Sequence, residues 1–141
     1  MKPQYHFFAN TRYALEGVWA MLKNERAFQL ELAIVLPALV VDCFLPIDLV
    51  LHLLLAAVLF IILIAEAFNS AIEACVDLIT EESHPMAKIA KDCASAGVFF
   101  SITLALLVWA VVLFGLFFDI SICSFRGFIR KGEIGISLFP E

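Results

Sequence analysis

Residues 47–77 read I-D-L-V-L-H-L-L-L-A-A-V-L-F-I-I-L-I-A-E-A-F-N-S-A-I-E-A-C-V-D. Between residues 47 and 65 only Asp48 and His52 interrupt the apolar run, and about 20 such residues cross the hydrocarbon core of a bilayer. At Glu66 the composition turns polar, yet no Gly or Pro breaks the segment before Asp77. One helix therefore crosses the membrane and continues into the aqueous phase with a row of acidic residues on it.

The flanking sequence extends this reading. Residues 30–45 form a second apolar stretch, interrupted by Glu31 and Asp42, which needs its flank from about Ala27 to reach spanning length; residues 93–118 form a third, with no charge at all. Of 141 residues, 63% are hydrophobic and 16% charged, with a mean hydropathy of +0.99, against roughly half apolar in an average soluble domain. So short a chain cannot hide that surface inside itself. The expected fold is an all-α membrane protein with three transmembrane helices. One domain covers residues 1–118, with helices over 27–45, 47–79 and 85–118.

Ahead of the first span, Phe8, Leu15, Val18, Trp19 and Leu22 recur at helical spacing while Arg12, Glu16 and Lys23 lie elsewhere, so residues 5–23 read as an amphipathic interfacial helix. A helix packed on the bundle fits the same pattern. Residues 1–25 contain no short apolar core with a small-residue cleavage site, so no removable signal peptide is expected. After Phe118, Gly127, Gly132, Gly135 and Pro140 among charges predict an irregular tail over 119–141.

Orientation follows from basic residues. Lys2, Arg12, Lys23 and Arg26 precede the first span and Lys88 and Lys91 lie between the second and third, whereas residues 42–48 contain none. The N-terminus and the 66–92 connection are thus expected on the cytoplasmic side; Arg126, Arg130 and Lys131 run mildly against that rule. The net charge of −5 argues against a nucleic-acid partner. Cys43, Cys75, Cys93 and Cys123 form no CxxC pair and read as small packing residues.

At about 100° per residue, Glu66, Asn69, Glu73 and Asp77 fall within an arc of about 80°. Stacked carboxylates repel one another and lose solvation near a membrane, so a cation or a basic partner is implied. Two candidates exist: a divalent metal, which takes oxygen ligands, and the next helix. That helix starts near Ser83-His84-Pro85, with Ser as a cap and Pro in the first turn, and places Lys88, Lys91 and Ser95 on one face. A helix N-terminus with two lysines favours an anion such as phosphate; pairing of the lysines with Glu73 or Asp77 accounts for them equally. Glu66 stands where the apolar run stops, at the depth of a lipid hydroxyl, and Glu73 lies about 10 Å further out. A base, charge neutralisation and alignment are what transfer from a nucleotide to a membrane alcohol requires. No GxxxxGK[ST] loop or Gly-rich kinase loop is present.

The run E-A-F-N-S-A-I-E-A-C-V-D at 66–77, followed by A-K-I-A-K-D-C-A-S-A at 87–96, closely resembles the signature of prokaryotic diacylglycerol kinases, E-x-x-N-[ST]-A-I-E-x-x-[VI]-D then A-K-D-x-x-[SA]-A. Upstream, N-E-R-A-F-Q-L-E at 24–31 resembles the family's E-x-A-F-x-x-E element. The resemblance covers about residues 10 to 118. It implies a homotrimer with composite sites between neighbouring subunits on the cytoplasmic side of the bacterial inner membrane. It also implies transfer of the ATP γ-phosphate to 1,2-diacylglycerol, with Mg²⁺ as cofactor.

By residue, the resemblance makes Glu66 the general base and Glu25 and Glu73 the carboxylates holding Mg²⁺ on ATP, with Asn69 shaping the site. Lys91 and Asp92 match nucleotide-contacting positions, Asp92 also standing among the catalytic candidates. Glu82, Ser83 and His84 match the nucleotide side of the loop, beside Tyr13. Asn10, Ala27, Phe28, Glu31, Glu66 and Ser95 match the lipid side. No secure counterpart exists for the basic residue many members carry at the extreme N-terminus, and the tail after Phe118 has none in the family pattern.

Plainer roles stay open for several of these. His84 can be a solvated loop residue, Glu31 a polar contact between helices, His52 a packing residue, and Trp109 a packing or lipid-facing anchor. Undecaprenol kinases share the core motif and are the main alternative. A small cation-transport subunit with the Glu66 face lining a polar path is the remote one; it leaves Lys88, Lys91 and Asp92 without a role.

Overall fold

The computed structural model describes residues 7–79 and 84–130, with side chains over 10–79 and 84–118. Among them there are four helices and no strand: α1 (Phe7–Asn24), α2 (Arg26–Asp42), α3 (Leu49–Ile79) and α4 (Pro85–Arg130). The all-helical expectation holds. Helix α3 and the Pro85–Phe118 part of α4 are long and apolar enough to cross a membrane. With 17 residues, or about 26 Å at 1.5 Å per residue, α2 falls short of that measure on its own.

Each boundary has a local cause. Between α1 and α2, Glu25 takes an extended conformation (φ −102°, ψ 108°) with no side-chain cap, and the Gln29 side chain donates to the Leu22 carbonyl at 2.8 Å, bridging the break. Helix α2 contains Pro37, which forfeits one backbone hydrogen bond. The α2–α3 turn ends at Asp48, whose carboxylate accepts from the Val50 and Leu51 amides at 2.9 and 3.1 Å. Asp48 is thus the N-cap of α3, satisfying two amides that the first turn leaves unpaired. At the start of α4 the His84 ring accepts from the Met86 amide at 3.2 Å. His84 therefore caps this helix, while Ser83, expected as its cap, lies outside the described residues.

Helix α3 packs most extensively on α4, then on α2; α1 packs on α2. The core is small: Val35 from α2, Val58, Leu59 and Ile62 from α3, and Ala105 from α4, with Leu39, Ile102 and Trp109 against them. Outside it, Phe60, Ile64, Phe68, Phe99, Leu106, Val111 and Phe114 are exposed on the surface of this protomer. Apolar surface on that scale calls for lipid or further protein.

Two features differ from expectation. His52 is more than a packing residue: its Nδ1 lies 2.9 Å from Oδ1 of Asp42, and Asp42 is only 4% exposed. The link joins the end of α2 to the start of α3. The backbone of residues 119–130 is helical, continuing α4 where an irregular tail is expected. No Gly or Pro occurs between Phe118 and Gly127, and extending an existing helix is far easier than starting one.

Candidate active site

Because α3 runs unbroken from Leu49 to Ile79, the acidic face stays in register across the membrane edge. Glu66 is 3% exposed and Asn69 9%; Glu73 is half-buried and Asp77 exposed. The face thus runs from protein interior to water within three turns. The Asn69 amide donates to Oε1 of Glu73 at 3.1 Å, and the Ser95 hydroxyl of α4 lies 3.5 Å from Oδ1 of Asn69. Asn69 thereby joins the two helices at the level of the carboxylates.

The acidic group is larger than this face. Glu66 lies in electrostatic reach of both Glu73 and Glu25, the residue at the α1–α2 break, and Glu31 in reach of Glu66. Glu66 thus feels carboxylates from α2, from its own helix α3 and from the break before α2. The lysines do not neutralise them directly: Lys91 of α4 donates to Oδ1 of Asp77 at 2.5 Å, and Lys88 to Oδ2 of Asp92 at 2.5 Å. Of the pairings open from sequence, Lys91 with Asp77 is the one formed.

Above Glu66, toward the membrane interior, a pocket of about 310 Å³ opens between the helices, walled by Ile34, Val35, Leu59, Ile62 and Ile102 with Glu31 and Trp109 in its lining. Glu31 Oε2 and Trp109 Nε1 are both buried without a hydrogen-bond partner. Two buried polar atoms on residues that line an apolar pocket are costly while they stay unpaired. Trp109, read from sequence as a packing residue or anchor, belongs to this lining. The signal that could have found it is its seat on the α4 face that carries Ser101 and Ala105 toward the core.

Glu66 has Glu25, Glu31 and Glu73 within electrostatic reach, Asn69 joins Glu73 to Ser95, and Lys91 is bonded to Asp77 further along α3. Phe28 is buried, at 5% exposure, while Ala27 is exposed on α2. Asp92 is occupied by Lys88 on the outer side of α4 and contacts neither Glu66 nor Asn69 through any described hydrogen bond. Asn10 and Tyr13 lie exposed on α1, and His84 is exposed at the α4 cap. Glu82 lies, like Ser83, outside the described residues.

Among the described residues no three His, Cys, Asp or Glu side chains gather as a ready-made metal cage. Mg²⁺ does not demand one, since it is commonly held by one or two carboxylates together with substrate phosphates and water. Glu25 and Glu73 fit that pattern: all-oxygen donors, each near Glu66, with one Glu73 oxygen engaged by a neutral amide. The donor chemistry suits the ion.

A family pattern described as "Prokaryotic diacylglycerol kinase" matches residues 12–113 of the chain. Diacylglycerol kinase of Escherichia coli strain K12 is 39% identical over 105 residues, 74% of this chain and 86% of that protein. Diacylglycerol kinase of Pseudomonas aeruginosa is 37% identical over 105 residues, covering 74% and 85%. Undecaprenol kinase of Bacillus subtilis is 33% identical over 92 residues, covering 65% and 75%. The match takes in α2, α3, the four glutamates and most of the spanning part of α4, and the chain accordingly belongs to the prokaryotic diacylglycerol kinase family and is a membrane kinase.

Proposed function

We propose that the protein transfers the γ-phosphate of ATP to the free hydroxyl of 1,2-diacylglycerol, producing phosphatidic acid at the cytoplasmic face of the inner membrane. The observation that carries this reading is the position of Glu66: a carboxylate buried at the end of the apolar run, one turn along α3 from Ile62 in the apolar pocket and one turn from Asn69 on the acidic face. In the reaction Glu66 takes the proton of the lipid hydroxyl as its oxygen bonds to the γ-phosphorus. The bond to the β-phosphate oxygen breaks and ADP leaves. Glu25 and Glu73 would hold Mg²⁺, which would offset charge on the phosphates. Asn69 fixes the Glu73 carboxylate, Lys91 and Asp92 address the nucleotide from α4, and Glu82, Ser83, His84 and Tyr13 line its approach.

The acyl chains occupy the pocket beneath Glu31, with Phe28, Ala27, Ser95 and Asn10 on the lipid side. Helix α2, extended by its flanks, is the third span; α1 lies at the cytoplasmic interface. The large apolar surface left on the protomer supports assembly into a homotrimer, with sites shared between neighbours.

A second reading, polyprenol phosphorylation, is favoured by the undecaprenol kinase relative. Asn69-Ser70-Ala71 and Ser95-Ala96 favour diacylglycerol. Phosphate transfer from labelled ATP by purified protein, offered diacylglycerol, undecaprenol and ceramide in turn, decides between them. The expected result is preferential labelling of diacylglycerol. Preference for undecaprenol overturns the substrate assignment, and labelling of none of the three overturns the lipid-kinase reading.

A further inference from the structure

Two cross-links join α3 to α4 below the membrane edge. Asn69 meets Ser95 at 3.5 Å, and Asp77 meets Lys91 at 2.5 Å. Glu73 lies four residues from both Asn69 and Asp77, about 6 Å along the helix from either. The helices run antiparallel, so the level of Glu73 on α4 falls between Lys91 and Ser95. Lys91, on a flexible four-carbon stem, thus has two carboxylates to choose from. The structure seats it on Asp77, and Glu73 accepts instead from the neutral Asn69 amide at 3.1 Å. The neighbouring lysine, Lys88, is engaged by Asp92.

This sorting has a chemical consequence. A lysine paired with Glu73 would cancel the charge that a cation needs, whereas one held by Asp77 leaves Glu73 its charge and still has two N–H donors for the phosphates. We propose that Asp77 is a positioning residue for the kinase reaction: it holds Lys91 one helical turn from Glu73, leaving Glu73 to the cation and Lys91 turned toward the nucleotide. The inference rests on the roles given above to Glu73 and Lys91. In this role Asp77 acts through Lys91 alone.

The test is steady-state kinetics of four full-length variants in lipid vesicles, titrating ATP, Mg²⁺ and diacylglycerol separately. Asp77→Asn is expected to raise the apparent KM for ATP and the Mg²⁺ concentration for half-maximal rate by about tenfold each, the scale on which one charge-assisted contact moves a binding constant. The lipid KM stays near wild type. In a Lys91→Ala background, Asp77→Asn is expected to leave the Mg²⁺ titration where Lys91→Ala alone puts it, because no lysine remains to intrude on Glu73. Asp77→Glu, which keeps the carboxylate, is expected to hold ATP and Mg²⁺ dependence within about threefold of wild type and guards against a folding defect in the Asn variant. A plain structural tie predicts instead that Asp77→Asn lowers thermal stability and every kinetic parameter equally in both backgrounds, and that result overturns the proposal. If Lys91→Ala impairs ATP use while Asp77→Asn does not, the proposal falls and the assignment of Lys91 stands. If Lys91→Ala is kinetically silent, the assignment of Lys91 falls and the proposal with it.

Discussion

Glu66 is a carboxylate that a stability argument alone would not place where it is. At 3% exposure, with Glu73 and Glu25 nearby, it is desolvated and repelled, and buried charge is retained where it works or is compensated. Its charge pattern was open to sequence reading because a period of 3.6 turns four positions into one face. The replacement Glu66→Gln keeps size and hydrogen-bonding capacity but cannot take a proton. It is expected to bind ATP and to fold as wild type while losing at least ~100-fold in kcat, the lower end of a general base's contribution. Retention of more than about a tenth of wild-type kcat at saturating substrates makes Glu66 a positioning residue and sends the search for the base to Asp92. For Glu73→Gln the prediction is different in kind: activity collapses and the Mg²⁺ dependence weakens or shifts, with the fold unchanged. An unaltered Mg²⁺ titration at wild-type rate would remove Glu73 from the metal.

At the scale of elements, what sequence could specify was local and what it could not was relational. The continuity of α3 past Glu66 follows from the lack of any breaker, and the hairpin onto α4 from Pro85. The Asp42–His52 link escaped because its partners are ten residues apart across a turn, and nothing in either helix's periodicity pairs them. Likewise Lys91 had two acidic partners in prospect, and only the antiparallel register of α3 and α4 selects Asp77. The helical backbone of residues 119–130 was obscured by Gly127 and the glycines beyond it, which read as loop composition. Two substitutions at the end of α3 remote from the carboxylates test the element-level account. Asp48→Ala removes the N-cap and is expected to cost about 1 kcal/mol, as such caps do. His52→Ala strands the buried Asp42 carboxylate, which is expected to cost about 1–3 kcal/mol. Both are read by thermal or denaturant unfolding in detergent. Unchanged unfolding in either variant means that the corresponding contact does not stabilise the folded hairpin.

Two sets of residues that the proposed reaction would use stand on different helices. The carboxylates lie on α2, α3 and the break before α2, whereas Asn10 and Tyr13 stand exposed on α1, which packs on α2. Among the described residues only seven apolar side chains are buried, while more than thirty large ones are exposed. Both facts have one resolution if α1 of one copy completes the site of its neighbour, as a homotrimer with shared sites provides. Complementation reports on that arrangement directly. A chain carrying Glu66→Gln has a dead base but intact Asn10 and Tyr13, and a chain carrying Asn10→Ala with Tyr13→Ala has the reverse. Reconstituted separately, both are expected to be impaired. Dissociated in denaturing detergent, mixed and reassembled in lipid, they are expected to regain activity, because some interfaces then pair an intact Glu66 with an intact α1. Sites contained within single protomers admit no such rescue, whatever the oligomeric state. Activity of the mixture that stays at the average of the separate variants, with subunit exchange verified by a tag on one chain, therefore rules out sharing of the site through α1.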